Sequence, residues 1–390
     1  MGHSWALCEL THMIPGMFER TAAEFERGRG QGLHTGAQLY ISQAGAPVAN
    51  LAFGESRPGV PMTPDHIILW FSAAKPFTAV AIGQLWESGR LDLDDPVARF
   101  IPEFAARGKE FITIRHLLTH TAGFRWVEWS TNWDEMIAKI AAAPLEPRWI
   151  AGTSAGYHPT TSWFILGEII RRLDSRHRPF EQYMADEILR PAGMSDVFFA
   201  MTPQEFSDDE PRIAPMSVTN HQKLNTPAFD TAAGAAVCSP GGSARGPARQ
   251  LGRFYEILLN HGAPLISPQT TEALVSRHRT GLHDLTFKHV IDWGLGFILN
   301  SAQYGEAVPY GFGPAASSRA FGHGGNQSSI AYADPESKIV VVLIFNGMPG
   351  EPAHQDRMRR MLTAVEEDLG RKSETRNQNG ESTPNDQSPK

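Results

Sequence analysis

Residues 69–77 read Leu69-Trp70-Phe71-Ser72-Ala73-Ala74-Lys75-Pro76-Phe77. Lys75 stands three residues after Ser72, and no other lysine in the chain follows a serine at that spacing. The Trp, Phe and Ala around it hydrate an ammonium poorly, which disfavours the charged form and lowers its pKa. A serine hydroxyl is a weak nucleophile until such a base lies within hydrogen-bond reach. Positions i and i+3 share one face of a helical turn, so the spacing supplies that reach. Pro76 would clash with the carbonyl of Ser72 inside a helix, so regular helix is expected to begin just after Ser72. The Ser72 hydroxyl and N–H would then sit at the positive end of the helix dipole, which favours an anionic acyl-transfer oxygen. Residues 77–88 are apolar on most sides and end at Gly89, which predicts a core helix with a glycine stop.

Working outward, residues 14–27 predict an amphipathic helix. Residues 37–41 and 48–53 alternate around Gly45 and Pro47 as a hairpin would. Helical patterns fill the stretch from Phe71 to about Gly193: residues 114–120, 133–142, 161–173 and 180–189. Pro and Gly clusters punctuate residues 201–246, which predicts loops and short strands. Residues 247–260 form a further helix, with Leu251, Tyr255, Leu258 and Leu259 on one side. Strands are expected at 294–299, 327–333 and 339–345, a turn at Asp334-Pro335-Glu336-Ser337, and a last helix over 352–369. Strands at both ends with helices between them imply an α+β fold whose antiparallel sheet is completed by the C-terminal segment. The expected division is one domain over 1–370. Its α/β lobe covers about 1–70 and 245–370, and its helical lobe about 71–244. A polar tail over 371–390 is expected to be disordered.

The 390 residues suffice for a large core, and the net charge of −7, with no run of Lys and Arg, gives no basic face for nucleic acid. No apolar stretch approaches membrane-spanning length, and no basic-then-apolar leader opens the chain. Two cysteines, Cys8 and Cys238, make a disulfide framework an unfavourable reading and fit a reducing cytoplasm, the expected location. No metal site or organic cofactor is indicated. His116 and His120 are one helical turn apart, but without the glutamate of a zincin motif they read as structural. The oligomeric state is open.

Three further patterns bear on chemistry. Gly152-Thr153-Ser154-Ala155-Gly156 fits a Gly-x-Ser-x-Gly nucleophile elbow. An elbow follows a buried strand, however, and the prolines at 144 and 147 argue against one, so Ser154 reads as a loop residue. Tyr157 lies just beyond; beside a lysine ammonium its phenol would ionise more easily and could relay a proton, while the plainer reading is a packed aromatic. In Phe321-Gly322-His323-Gly324-Gly325-Asn326, glycines on a strand would let a ligand approach the backbone. The N–H after those glycines could pair with that of Ser72 as an oxyanion hole, and His323 could hold substrate or be a hydrogen-bonded structural histidine.

Taken in order, Ser72-Ala73-Ala74-Lys75, Ile114-Arg115-His116-Leu117-Leu118-Thr119-His120-Thr121-Ala122-Gly123, Tyr157, Trp293-Gly294-Leu295-Gly296-Phe297, His323-Gly324-Gly325 and Tyr332-Ala333-Asp334-Pro335-Glu336-Ser337 resemble the serine β-lactamase-like superfamily. The order and spacing are similar to class C β-lactamases and especially family VIII carboxylesterases, over about residues 18–369. The resemblance implies a β-lactamase/DD-peptidase-like fold of two lobes with Ser72 at the start of a central helix. It also implies Ser72 as the acylated nucleophile, Lys75 as its base and Tyr157 as partner in proton transfer. The backbone N–H groups of Ser72 and Asn326 would form the oxyanion hole.

Two departures from the family pattern matter. His323-Gly324-Gly325 stands where lactamases usually carry Lys-Thr-Gly, which removes a cation for the β-lactam carboxylate. Pro159 stands where they carry Asn or Ser, which removes a side-chain donor. Both favour small or medium neutral esters, with His323, Gly324, Gly325 and Trp126 at the substrate. Trp126, Trp129 and Trp133 are expected at the cleft mouth, core packing being their commoner role. The expectation is therefore a serine carboxylesterase acting on a small-molecule ester, without nucleic-acid or membrane partners. A β-lactamase or D-amino-acid peptidase, an acyltransferase, and a non-catalytic binding module on the same scaffold are the alternatives.

Overall fold

A computed structural model describes residues 17–218 and 229–371. Its main sheet has seven strands: β1 (Gly36–Gln43), β2 (Ala46–Arg57), β3 (Val60–Pro61), β4 (Ile298–Leu299), β5 (Phe321–Gly325), β6 (Ser329–Asp334) and β7 (Ile339–Phe345). Their order is β3-β2-β1-β7-β6-β5-β4, and every pairing is antiparallel. The first and last parts of the chain thus meet at the sheet centre, where Ala37 pairs with Phe345.

All of β7 is buried, as an uninterrupted apolar run predicts for a strand covered on both faces. Alternation assigns its side chains. Val341, Leu343 and Phe345 join Leu39 and Ile41 under helices α1 (Glu19–Gly30) and α5 (Glu351–Asp368), which contribute Phe25, Met358, Met361 and Leu362. Val340, Val342 and Ile344 point the other way with Tyr40, towards Leu251, Phe254 and Tyr255 of helix α4 (Ala248–Leu259). That second core continues without a break into the helical part. There α2 (Lys75–Glu87) is buried from Lys75 to Gly83 and packs on α3 (Thr161–Leu173). Gly89, at φ +71°, provides the expected stop, since the left-handed region costs glycine little.

The structure departs from the sequence reading at several points. The strand expected over 294–299 shrinks to Ile298–Leu299: Gly296 is at φ +84° and Gly294 N–H donates to Phe297 O, which makes a turn there. Helix Pro268–Val275, capped by Ser267, was not expected. Residues 201–246 include helices Pro203–Asp209 and Ala232–Ala235 besides two-residue ladders. The expected helix over 180–189 is α-helical only to Met184 and continues as one π turn. The first helix begins at Glu19. Residues 14–16, Cys8 and the tail from 372 onward lie outside the described residues.

Candidate active site

Ser72 sits in a 3₁₀ turn, Phe71–Ala74, that runs directly into α2, so it precedes regular helix as Pro76 requires. Phe71 is held at φ +50°, a left-handed backbone that a bulky side chain rarely adopts. Two contacts brace this turn against β5 and β6. Ser329 Oγ donates to Trp70 O at 3.0 Å, and the Cα of Gly325 lies so close that a Cβ there would be 2.1 Å from Trp70 O. Gly325 therefore serves strand-to-turn approach and does not line the cavity, unlike its expected place at the substrate.

Lys75 is fully buried, and its Nζ lies 3.0 Å from Ser72 Oγ. Its other two hydrogen-bond directions end on Pro159 O and Gly241 O, each at 2.8 Å. Burial pushes its pKa well below the ordinary lysine value. A neutral amine that donates to two carbonyls has its lone pair left for the third direction, which is Ser72. The same carbonyls explain Gly241: a Cβ there would be 2.7 Å from Trp163 Cγ and 3.0 Å from Lys75 Nζ.

The Tyr157 ring stands 5.2 Å from Lys75 Nζ, and its hydroxyl lies near enough to the Ser72 side chain for that side chain to act on its titration. Burial pushes the phenol up, outweighing the lowering by Ser72. The easily ionised phenol expected beside an ammonium is thus corrected. Lys75 itself is driven towards its neutral form, and the resting tyrosine keeps its proton. Tyr157 is placed through its main chain. Asp284 Oδ1 accepts from Tyr157 N at 3.0 Å and from Thr286 N and Phe287 N, while Thr286 Oγ1 donates to Tyr157 O. Asp284 is fully buried and paired with Arg279 at 3.1 Å.

His323 Nδ1 lies 2.7 Å from Gly324 O, which fixes the proton on that nitrogen and leaves Nε2 as an acceptor. Burial lowers this imidazole to about 3, so it is neutral. Ser72, Tyr157, Pro159, His323, Gly324, Asn326, Trp126 and Trp129 all line one cavity of about 740 Å³, with Phe71, Phe229, Phe287 and Tyr310 adding aromatic walls. Trp126 is 62% exposed, at the mouth. Trp133 lies elsewhere, packed on Phe164 and Phe180 with its Nε1 donating to Glu168, because its helix turns that face inward. Ser154 occupies a turn, its Oγ accepting from Ile150 N, and does not line the cavity. The helix expected over 114–120 ends at Leu118, with His120 beyond it at φ +57°, so His116 and His120 do not share a helical turn, and each has a structural partner. His116 completes a capping box with Thr113, and His120 Nδ1 accepts from His158 N. Sequence reasoning missed Gly241, Asp284, Arg279, Tyr310 and Glu351. These come from segments far apart in the chain and carry no local signature.

Among the described residues no helix is long and apolar enough to cross a membrane. Comparison with known proteins agrees with this geometry. The Beta-lactamase family matches residues 21–366. The chain is 24% identical over 347 residues to "Esterase/beta-lactamase LipL" of Mycobacterium tuberculosis, covering 80% of this chain and 77% of that protein. It superposes on a penicillin-binding protein homologue from Caulobacter crescentus with TM-score 0.74 and 29% identity, covering 93% of this chain and 100% of the other. On a family VIII carboxylesterase the TM-score is 0.72 at 27% identity, with the same coverage of 93% and 100%. A fold, a buried amine on a turn serine, and a match across nearly all the described residues lead to one conclusion: the chain belongs to the Beta-lactamase family and is a serine hydrolase of that family.

Proposed function

We propose that the protein is a carboxylesterase that hydrolyses small or medium neutral esters through an acyl-enzyme on Ser72. The observation that carries this reading is the buried Lys75 amine, with two directions tied to carbonyls and the third on Ser72 Oγ. In this reading neutral Lys75 takes the Ser72 proton as Oγ attacks the ester carbonyl. The carbonyl oxygen becomes an oxyanion held by the N–H groups of Ser72 and Asn326. Collapse breaks the C–O bond, and the departing alkoxide receives the proton from Lys75 through the Tyr157 hydroxyl. Water then adds to the acyl carbonyl, Lys75 takes its proton, and Ser72 leaves with that proton as the free acid departs. His323, Gly324 and Trp126 contact the substrate. Replacement of the usual lysine by neutral His323 leaves the cavity without a strand cation for a carboxylate. That supports esters over lactams.

The test is hydrolysis of p-nitrophenyl acetate and butyrate. Activity should vanish in Ser72→Ala and persist in Ser154→Ala; the reverse pattern rejects the assignment. The double name of the LipL relative favours one rival, a lactamase. Nitrocefin turnover much faster than ester turnover would establish that reading instead.

A further inference from the structure

We infer that the cavity over Ser72 binds an organic cation, a quaternary or protonated ammonium group carried by the ester, between aromatic faces and the Glu351 carboxylate. Its use in turnover rests on the esterase reading above, extended from neutral to cation-bearing esters; its binding does not.

The described lining holds two charged side chains, Arg245 and Glu351. Arg245 is 2% exposed, its Nη2 donates to Phe229 O at 3.0 Å, and burial lowers its pKa against the opposing attraction of Asp230. Glu351 is exposed at the start of α5, and its neighbours are neutral donors: Tyr310 Oη at 2.7 Å and Gln355 Nε2 at 3.0 Å. No ion pair reaches it among the described residues. It lines the same cavity as Ser72 and Tyr157, and after burial, the main cause, its charge and that of Asp284 add to the rise of the Tyr157 phenol.

The walls beside it are rings in mutual contact. Tyr310 and Phe287 meet edge to face at 5.7 Å between centroids, and Phe287 and Tyr157 lie 4.8 Å apart. Trp126 and Trp129 stand at the entrance, 62% and 36% exposed. Aromatic faces attract cations, most strongly quaternary ammonium ions partly stripped of water. His323 adds an acceptor, because its Nε2 is buried without a partner while its only proton is spent on Gly324 O. The cavity therefore offers rings, an acceptor and an unmatched carboxylate. A carboxylate-bearing ester meets repulsion from Glu351, and a neutral ester gains only contact.

Two isosteric pairs test this and show which side of the ester carries the cation. Butyrylcholine is compared with 3,3-dimethylbutyl butyrate for the alcohol side. Ethyl 4-(trimethylammonio)butyrate is compared with ethyl 5,5-dimethylhexanoate for the acyl side. In one pair kcat/KM should favour the cation by about tenfold at low salt, and Glu351→Gln should bring that ratio towards unity. Independently of turnover, choline should change the tryptophan fluorescence of the Ser72→Ala protein, with weaker binding once Glu351→Gln is added. Equal kcat/KM within both pairs together with no choline binding overturns the inference and leaves the esterase reading intact. Choline binding that depends on Glu351 in a protein that hydrolyses no ester supports the subsite and rejects the esterase reading.

Discussion

Adding one methyl group at position 241 tests whether the amine is clamped as described. A Cβ on Gly241 would meet Trp163 Cγ at 2.7 Å, Trp163 Cβ at 2.8 Å and Lys75 Nζ at 3.0 Å. The backbone there does not need glycine's left-handed freedom, so Gly241→Ala acts through volume alone. Trp163 is fully buried and cannot swing away, and overpacking of this kind costs about 1–3 kcal/mol. The softer partner is the lysine stem, so Nζ moves off its 2.8 Å contact with Gly241 O and off Ser72. A displacement of about 1 Å between reacting groups costs about 100-fold in rate. The expected result on p-nitrophenyl butyrate is a kcat/KM lower by about 100-fold, with a melting temperature lower by a few degrees. Gly242→Ala is the control, because its Cβ meets only Ser239 Oγ at 3.7 Å, an ordinary contact. A Gly241→Ala protein with unchanged kcat/KM refutes the clamp, as does an equal loss in both variants.

Two more outcomes follow from buried charge. Burial holds the Lys75 pKa well below 10.5, so if Lys75 is the proposed neutral base, kcat/KM should rise with pH through that lowered value and level off before pH 10.5. Between the two values the unfolded chain holds one more proton than the folded one, so the Lys75 contribution to stability also rises with pH there. An acid limb at the ordinary lysine value refutes the base assignment. Asp284→Ala removes the acceptor for Tyr157 N, Thr286 N and Phe287 N and strands the Arg279 guanidinium, already lowered to about 10 by burial. Breaking a buried pair in this way costs about 3–5 kcal/mol, to be read by denaturant unfolding. A loss under 1 kcal/mol, on the order expected of an exposed pair, refutes the clamp on Tyr157.

Much of the fold was legible because its elements are strongly patterned. The run Ile339–Phe345 could only be a doubly covered strand, and the stretches 133–142 and 161–173 match their helices residue for residue. Ser72 and Lys75 were legible because their geometry is local, one turn with one spacing. What lay hidden is non-local. The phenol of Tyr157 titrates by its burial, which no neighbouring letter encodes. Gly325 looked like a ligand glycine and proved to be a packing glycine, because its contact, Trp70 O, is 255 positions away in sequence and adjacent in space. Glu351 could not be connected to Tyr310 until α5 was folded back on the sheet.

The central pairing of residue 37 with residue 345 also constrains biosynthesis. While the chain is being made, β1 and β2 leave the ribosome as a hairpin with one side unpaired, and they must wait for β7, about three hundred residues later. Since β5 and β6 brace the turn that carries Ser72, a nascent chain that stops before them lacks the support that orients this serine. Fluorophosphonate labelling of Ser72 should therefore switch on only after β5 and β6 have emerged, making it a reporter of sheet completion.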